Sequence, residues 1–220
     1  MMAKERLKVG VLISGRGTNL QALIDACAKP DFPAKIVLVV SNVADAHGLK
    51  RATAAGIPTA FIDHKTYRTR EHFDAAIDSA LRASGVEFVC LAGFMRILSG
   101  QFVERWRNRL INIHPSLLPA FKGLDTHQRA IDAGVTITGC TVHFVRPAMD
   151  DGPIIVQAAV PVLPGDNADR LAARILESEH VIYPLALRLV AEGRAQVEGE
   201  KTVLKKGAPS AESLVNPAPD

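Results

Sequence analysis

Asn112 and His114 are the residues of this chain whose types and spacing best suit catalysis. They belong to an apolar segment, LINIH, that two prolines follow closely. Because side chains alternate across a strand, Asn112 and His114 face one way, and Ile111 and Ile113 face the other. An amide donor beside a histidine that can carry a proton near neutral pH suits a carbonyl carbon that passes through a tetrahedral oxyanion. The alternative is a polar strand end whose histidine has a structural role and makes its hydrogen bonds within the fold.

Two adjacent acids are the candidate partners of that histidine. Asp150 and Asp151 lie in a turn-rich segment, 146–153, which follows a predicted strand containing His143. Turn carboxylates are commonly solvated. One of these two can instead hold the His114 imidazole, favour its protonated form and select its tautomer. His143 is a weaker candidate, because its strand position suits either the surface or the site.

The segment 14–19, SGRGTN, predicts a phosphate site, because it follows a strand and opens a helix. Glycines let the backbone approach an anion at a helix N-terminus. Leu20 stands where a dinucleotide fingerprint needs its third glycine, and no Lys-Ser/Thr pair follows, so a single phosphate is favoured. The alternative is a plain strand-to-helix turn capped by Thr18 or Asn19.

A second loop, AGFMRIL at 92–98, follows another predicted strand. Ligands of open parallel sheets bind beyond the carboxyl ends of the strands, so Gly17, Met95 and His114 should converge there. The apolar side chains of this loop can line a slot for a flat ring, or they can pack in the core. Glu179 borders the apolar stripe of a long predicted helix and either accepts a hydrogen bond from substrate or pairs with a neighbour.

The elements that must position these residues alternate between apolar strands and amphipathic helices, which predicts a parallel sheet with helices on both faces. Two later strands have a link too short for a helical crossover, which predicts an antiparallel pair. A helix from about 167 should be kinked or broken by Pro184, and 195–203 should form a hairpin. The predicted strands are 7–13, 35–42, 57–62, 86–92, 109–114, 136–145 and 154–162.

Composition limits the classes of protein this chain can belong to. Its 220 residues are 48% hydrophobic and 22% charged, with a net charge of +3, which suits one domain over 1–206 and a flexible tail over 207–220. Scattered basic residues do not favour nucleic acid. Three distant cysteines predict neither a zinc site nor a redox pair. No signal peptide or membrane-length apolar run is recognisable, so we expect a cytoplasmic protein.

Five segments together resemble the folate-dependent phosphoribosylglycinamide formyltransferases of purine synthesis, and the likeness runs from about 8 to 193. In chain order they are ISGRGTNLQALIDA, LAGFMRILS, LINIHPSLLPAFKG, TVHFV and MDDGPI. The Asn-x-His, Leu-Leu-Pro and Asp-Gly-Pro signatures are shared more widely among enzymes that use 10-formyltetrahydrofolate. The resemblance implies the formyltransferase type of Rossmann-like fold.

It also implies direct formyl transfer from 10-formyltetrahydrofolate, a co-substrate, to the amine of glycinamide ribonucleotide, without metal. In the catalytic trio it implies, Asn112 donates to the formyl oxygen, His114 stabilises the oxyanion as a cation, and Asp150 holds the histidine. The implied ribonucleotide-binding residues are Gly17, Thr18, Asn19 and Glu179. The implied folate-binding residues are Arg70, Met95, Arg96, Ile97, Leu98, Asn112, Arg146 and Asp150.

Three other functions are alternatives to formyl transfer onto glycinamide ribonucleotide. A hydrolase that releases formate from the same folate normally has an added N-terminal domain, and methionyl-tRNA formyltransferase has a C-terminal nucleic-acid-binding domain. We expect neither here, since few residues precede the first strand or follow Gly193. A non-catalytic folate- or nucleotide-binding protein would not need Asn112, His114 and an acid at one edge. The expected partners are two small-molecule substrates, and neither a nucleic acid nor a membrane is expected. We expect the protein to be a monomer or a homodimer.

Overall fold

In the part of the chain that the structure describes, seven strands form one sheet in the order β3-β2-β1-β4-β5-β6-β7. The computed structural model describes residues 5–205, 214 and 216. Strands β1 to β5 run parallel, whereas β6 is antiparallel to both β5 and β7. The mostly parallel sheet and the antiparallel pair are therefore confirmed. The strands are β1 (Leu7–Ile13), β2 (Ala34–Ser41), β3 (Thr59–Phe61), β4 (Phe88–Leu91), β5 (Leu110–His114), β6 (Ile137–Phe144) and β7 (Ile154–Pro161).

Helices cover both faces of this sheet. This arrangement is expected, because the strands have apolar side chains on both faces. The alternation is visible in the first strand, where Val9 and Val11 pack on one face of the sheet and Leu12 packs on the other. A separate hairpin of β8 (Ala195–Glu198) and β9 (Lys201–Leu204) follows the last helix. The helices are α1 (Thr18–Cys27), α2 (His47–Ala54), α3 (Arg70–Ala83), α4 (Gly100–Arg105), α5 (Thr126–Asp132) and α6 (Ala168–Ala191), with a short 3-10 turn at His64–Thr66.

Helix α6 is continuous through Pro184, so a break there is wrong, whereas the alternative of a kink stays a prediction. A proline inside a helix removes one hydrogen bond and costs about 3 kcal/mol. Buried side chains on both sides of it, Tyr183 and Leu187 among them, pack the helix against the sheet. The Tyr183 hydroxyl also donates to the carbonyl of Leu91 at 2.8 Å. This packing outweighs the lost bond.

The ends of the predicted strands lie within two residues of the observed ones, and both ends of β1 coincide with the prediction. The hairpin expected within 195–203 is present as β8 and β9. The expected loose tail lies outside the described residues except at Leu214 and Asn216, whose side-chain amide donates to the Thr136 carbonyl at 2.6 Å. Within 5–205, 214 and 216, no helix is long and apolar enough to cross a membrane.

Candidate active site

His114 ends β5 and is held on both sides of its ring. Its Nδ1 atom lies 3.3 Å from Asp150 Oδ1, and its Nε2 atom lies 3.0 Å from the carbonyl oxygen of Phe121. The second carboxylate oxygen of Asp150 accepts from the backbone amide of Gly123 at 2.7 Å. The ring is buried, at 5% exposure. Of the two candidate acids, the structure therefore places Asp150, the one that the resemblance implied, beside the histidine.

The two contacts of the His114 ring differ in kind. A carbonyl oxygen can only accept, so His114 Nε2 donates to Phe121. Asp150 Oδ1 lies at ion-pair distance from Nδ1, the other nitrogen of the ring. The geometry thus places a carboxylate beside a ring whose Nε2 is already a donor.

Asn112 faces the same side of β5 as His114, and its side-chain amide has a defined orientation. The Asn112 Nδ2 atom lies 3.4 Å from Nε2 of His143, its antiparallel partner on β6. The other nitrogen of His143, Nδ1, donates to the Phe144 carbonyl at 3.0 Å. Nε2 must then be the acceptor of a neutral ring, and burial lowers the pKa of His143 in agreement. His143 therefore makes the Asn112 NH2 group the donor at this position.

The loop 14–19 is fixed against α2 by its carbonyl groups. The Gly48 amide donates to the Gly15 carbonyl at 3.0 Å, and Arg51 Nε donates to the Arg16 carbonyl at 3.0 Å. Gly17 has a φ of 69°, and a Cβ there would lie 2.6 Å from Gly48 Cα. Helix α1 begins directly afterwards, and the first amides of a helix lack partners within it, so they can bind an anion.

Glu179 lies on α6 but contacts the start of α1. Its carboxylate is buried, at 6% exposure, and Oε2 accepts from Asn19 Nδ2 at 2.7 Å. Burial raises the pKa of Glu179, and the hydrogen bond from Asn19 partly opposes that rise. Asn19 Oδ1 is buried and has no hydrogen-bond partner among the described residues. The four predicted ribonucleotide residues therefore lie in one region.

The loop 92–98 presents a mixture of exposed and buried apolar side chains. Met95 is 65% exposed and Ile97 is 59% exposed, and the neighbouring Arg96 is exposed as well. Leu98 is buried in the core, and Phe94 stacks on Phe73 of α3 at 6.5 Å. Exposed apolar side chains grouped on a loop mark a ligand surface. Core packing, the alternative from the sequence, describes Leu98 and Phe94 better than Met95 or Ile97.

Arg70 and Arg146, two of the three predicted folate arginines, lie in different settings. Arg70 is the exposed first residue of α3, the helix against which Phe94 packs. Arg146 is buried, and its guanidinium donates to Glu200 at 2.7 Å and to Asn108 at 3.0 Å. Those partners lie beyond the start of β5, at the end opposite His114. The structure does not bring the Arg146 guanidinium to the catalytic candidates, although Arg146 begins the turn that carries Asp150.

Sequence reasoning missed two backbone groups, the Phe121 carbonyl and the Gly123 amide, which hold His114 and Asp150. Phe121 and Gly123 make these contacts with backbone atoms, so their residue types could not have indicated them. Phe121 has a φ of 52° and Gly123 a φ of 86°. Among the described residues, no group of three or more His, Cys, Asp or Glu side chains is placed to hold a metal ion.

Comparisons with known proteins identify the family of the chain. The formyl transferase family model matches residues 7–187. A trifunctional purine biosynthetic protein adenosine-3 from Gallus gallus is 56% identical over 87% of this chain, which spans 19% of that relative's length. The phosphoribosylglycinamide formyltransferase of Haemophilus influenzae is 48% identical over 87% of this chain and 90% of its own length.

A solved structure of a glycinamide ribonucleotide transformylase has the same fold as this chain. The crystal structure of glycinamide ribonucleotide transformylase 1 from Symbiobacterium toebii superposes with a TM-score of 0.89 at 50% identity. The match covers 91% of this chain and 95% of that one. On the length and identity of these matches, the chain belongs to the phosphoribosylglycinamide formyltransferase family.

Proposed function

We propose that this protein transfers the formyl group of 10-formyltetrahydrofolate to the amine of glycinamide ribonucleotide, giving N-formylglycinamide ribonucleotide and tetrahydrofolate in purine biosynthesis. The observation that carries the proposal is the doubly held His114, with Asp150 on Nδ1 and the Phe121 carbonyl on Nε2. A buried cation suits stabilisation of an oxyanion. The family relatives support the same reaction.

In the proposed reaction the ribonucleotide amine attacks the formyl carbon, so a C–N bond forms and the carbonyl electrons move to oxygen. The Asn112 NH2 group donates to that oxygen, and the positive charge of His114 stabilises it. Collapse of the tetrahedral intermediate breaks the bond to N10 of the folate. The amine proton reaches N10 through water beside Asp150. The chemistry requires neither a metal nor a covalent intermediate with the protein.

The Phe121 contact adds a condition to this mechanism. Since the Phe121 carbonyl occupies His114 Nε2, the ring acts on the oxyanion through its charge unless that contact opens. Opening it would let Nε2 donate directly to the formyl oxygen. Asn112 needs no such change, because His143 occupies one of the two N–H donors of its amide.

The substrate-binding residues are proposed on the same basis. Gly17, Thr18 and Asn19 bind the ribonucleotide phosphate at the start of α1, and Glu179 binds another polar group of that substrate. The folate is bordered by the exposed side chains of the loop 92–98 and by the turn that Arg146 begins. The proposed folate residues are Arg70, Met95, Arg96, Ile97, Leu98, Asn112 and Asp150. Arg146 is included because the backbone of the turn that it begins borders the folate.

We also propose that 1–206 form the formyltransferase domain and that the protein acts in the cytoplasm as a monomer or homodimer. Its partners are the two small-molecule substrates. The hydrolase is the alternative that needs an experiment, because it would use the same folate and the same catalytic trio.

One assay separates the two reactions. Protein is mixed with 10-formyltetrahydrofolate, and the folate absorbance is followed with and without glycinamide ribonucleotide. We expect turnover that requires both substrates and that survives a metal chelator. Equal folate turnover without the ribonucleotide would assign the protein as a hydrolase. Loss of activity to a chelator, restored by zinc, would contradict the metal-free mechanism.

A further inference from the structure

Ser14 connects the loop 14–19 to the loop 92–98 through its side chain. It directly follows β1, and its hydroxyl accepts a hydrogen bond from the Met95 amide at 2.8 Å. The same hydroxyl donates to Asn42 Oδ1 at 2.5 Å. Ser14 is thus the first residue of one loop and holds the middle of the other.

The acceptor of the Ser14 hydroxyl is itself fixed. Asn42 directly follows β2 and is 5% exposed, and its Nδ2 atom lies 3.3 Å from His64 Nδ1. The hydroxyl therefore has one direction in which to donate, which leaves its oxygen facing the Met95 amide. A second link, from the Ser14 amide to the Gly93 carbonyl at 3.0 Å, uses only backbone atoms.

We propose that the Ser14 hydroxyl is a positioning group that couples the ribonucleotide site to the folate site, so that each ligand raises the affinity for the other. The inference rests on the proposed function, which places the phosphate on the loop 14–19 and the folate on the loop 92–98. A ligand that orders Ser14 also orders the Met95 amide. Coupling between two binding sites is reciprocal, so both ligands must show the same factor.

The hydroxyl can be tested apart from the fold. Ser14→Ala leaves the Met95 amide and the buried Asn42 oxygen without this partner, and a buried unpaired group is costly. The backbone link from Ser14 to Gly93 remains in this variant. Ser14→Thr keeps the hydroxyl. Thr53→Ala removes a hydroxyl from the exposed surface of α2, where it bonds only to the Leu49 carbonyl in its own helix, and serves as the control.

The measurement is calorimetric titration of tetrahydrofolate into the protein with and without glycinamide ribonucleotide, and the reverse titration. The coupling factor is the ratio of the two dissociation constants. We expect a wild-type factor within the usual range of about 5 to 150. Ser14→Ala should lower it about fivefold or bring it to one, while Ser14→Thr and Thr53→Ala keep it. Should Ser14→Ala fail to fold, Asn42→Ala frees the hydroxyl to rotate and should lower the factor in the same direction.

A wild-type factor of one, or an unchanged factor in Ser14→Ala, would overturn the proposal. Equal losses in Ser14→Ala and Ser14→Thr would overturn it as well, since packing rather than the hydroxyl would then be responsible. A wild-type protein that turns over both substrates while Ser14→Ala keeps full coupling refutes only the role of Ser14. A wild-type protein that binds neither substrate refutes the proposed function itself.

Discussion

His114 Nε2 and the Phe121 carbonyl oxygen are 3.0 Å apart, so a backbone group of the following loop holds the proposed catalytic ring. Phe121 has a φ of 52°, in the left-handed region that non-glycine residues rarely adopt. Such strain costs of order 1–3 kcal/mol and persists where the surrounding structure enforces it. The loop therefore contributes to the site through its conformation rather than through its side chains.

Asp150→Asn should lower kcat at neutral pH, because it removes the negative charge beside His114 Nδ1. Asparagine tolerates the positive φ of 47° at this position, so the change alters charge with little strain. His114→Ala should lose about two to four orders of magnitude in kcat, the range for a positioned acid or oxyanion donor. Steady-state kinetics should find the double variant little worse than His114→Ala, since residues that act as a unit are not additive.

The matched control is the adjacent acid. Asp151 pairs with Lys122 at 3.0 Å and is exposed, and the hydrogen bond from Lys122 lowers the pKa of Asp151. Exposed ion pairs contribute about 0–1 kcal/mol to stability, so Asp151→Asn should leave kcat close to that of the wild type. Damage from Asp151→Asn with a silent Asp150→Asn would reverse the assignment of the two acids.

Gly17→Ala should weaken ribonucleotide binding and destabilise the fold. A Cβ at Gly17 meets the backbone of Gly48 at 2.6 Å and requires a φ of 69°. Gly134, at the end of α5, has a φ of 66° but open space around its Cβ position. Gly134→Ala therefore isolates the cost of left-handed backbone, about 1–2 kcal/mol. Denaturation and calorimetry should show a larger loss for Gly17→Ala, and a loss of ribonucleotide affinity in that variant alone.

Much of the fold was predictable because it depends on local patterns. The alternation of apolar strands with amphipathic helices predicted the parallel part of the sheet. The short link across 145–153 predicted the antiparallel pair. Pro184 misled the prediction because packing of Tyr183 and its neighbours, a tertiary effect, outweighs a local cost.

The site was predictable where side chains carry the chemistry. Asn112 and His114 follow from residue type and spacing, which leave Asp150 and Asp151 as alternative acids, and the family resemblance implies Asp150. The resemblance also implied that Arg146 borders the folate, but its guanidinium pairs with Glu200, more than fifty residues later in the chain. An ion pair across such a separation leaves no local pattern in one sequence. The contacts of Phe121 and Gly123 were missed for a different reason, because both residues use backbone atoms that every residue type has.

Glu179→Gln should raise the KM for glycinamide ribonucleotide about tenfold or more while the KM for the folate changes little. Glutamine keeps the size of the side chain and can still accept from Asn19, but it removes the carboxylate offered to a substrate donor, and hydrogen bonds to charged groups contribute about 1.5–3 kcal/mol. Glu177→Gln, on an exposed position of the same helix, is the control. Equal rises in both KM values would show that Glu179 serves α1 packing instead.

His143 should make the free energy of unfolding depend on pH below 6.5. Burial lowers the pKa of His143 in the folded state, whereas the unfolded chain titrates at the ordinary value near 6.5. Below that pH the unfolded state binds more protons, so the stability present at higher pH is lost as pH falls toward the folded-state value. The neighbouring charges are opposed, since Asp150 raises the pKa of His143 and His114 lowers it.

Urea denaturation of the wild type and His143→Gln at pH 7.5 and 5.5 tests this dependence. The wild type should lose more stability than the variant over that interval, by at most about 1.4 kcal/mol for the one pH unit below 6.5. Glutamine cannot take up a proton, so the stability that His143→Gln loses between the two pH values reports the other titrating groups. Because burial keeps Nε2 of folded His143 unprotonated until the pH reaches its lowered pKa, the contact that orients the Asn112 amide should persist above that pKa, and kcat should fall for this reason only below it. Identical pH dependence of unfolding in the two proteins would mean that His143 is not held neutral by burial.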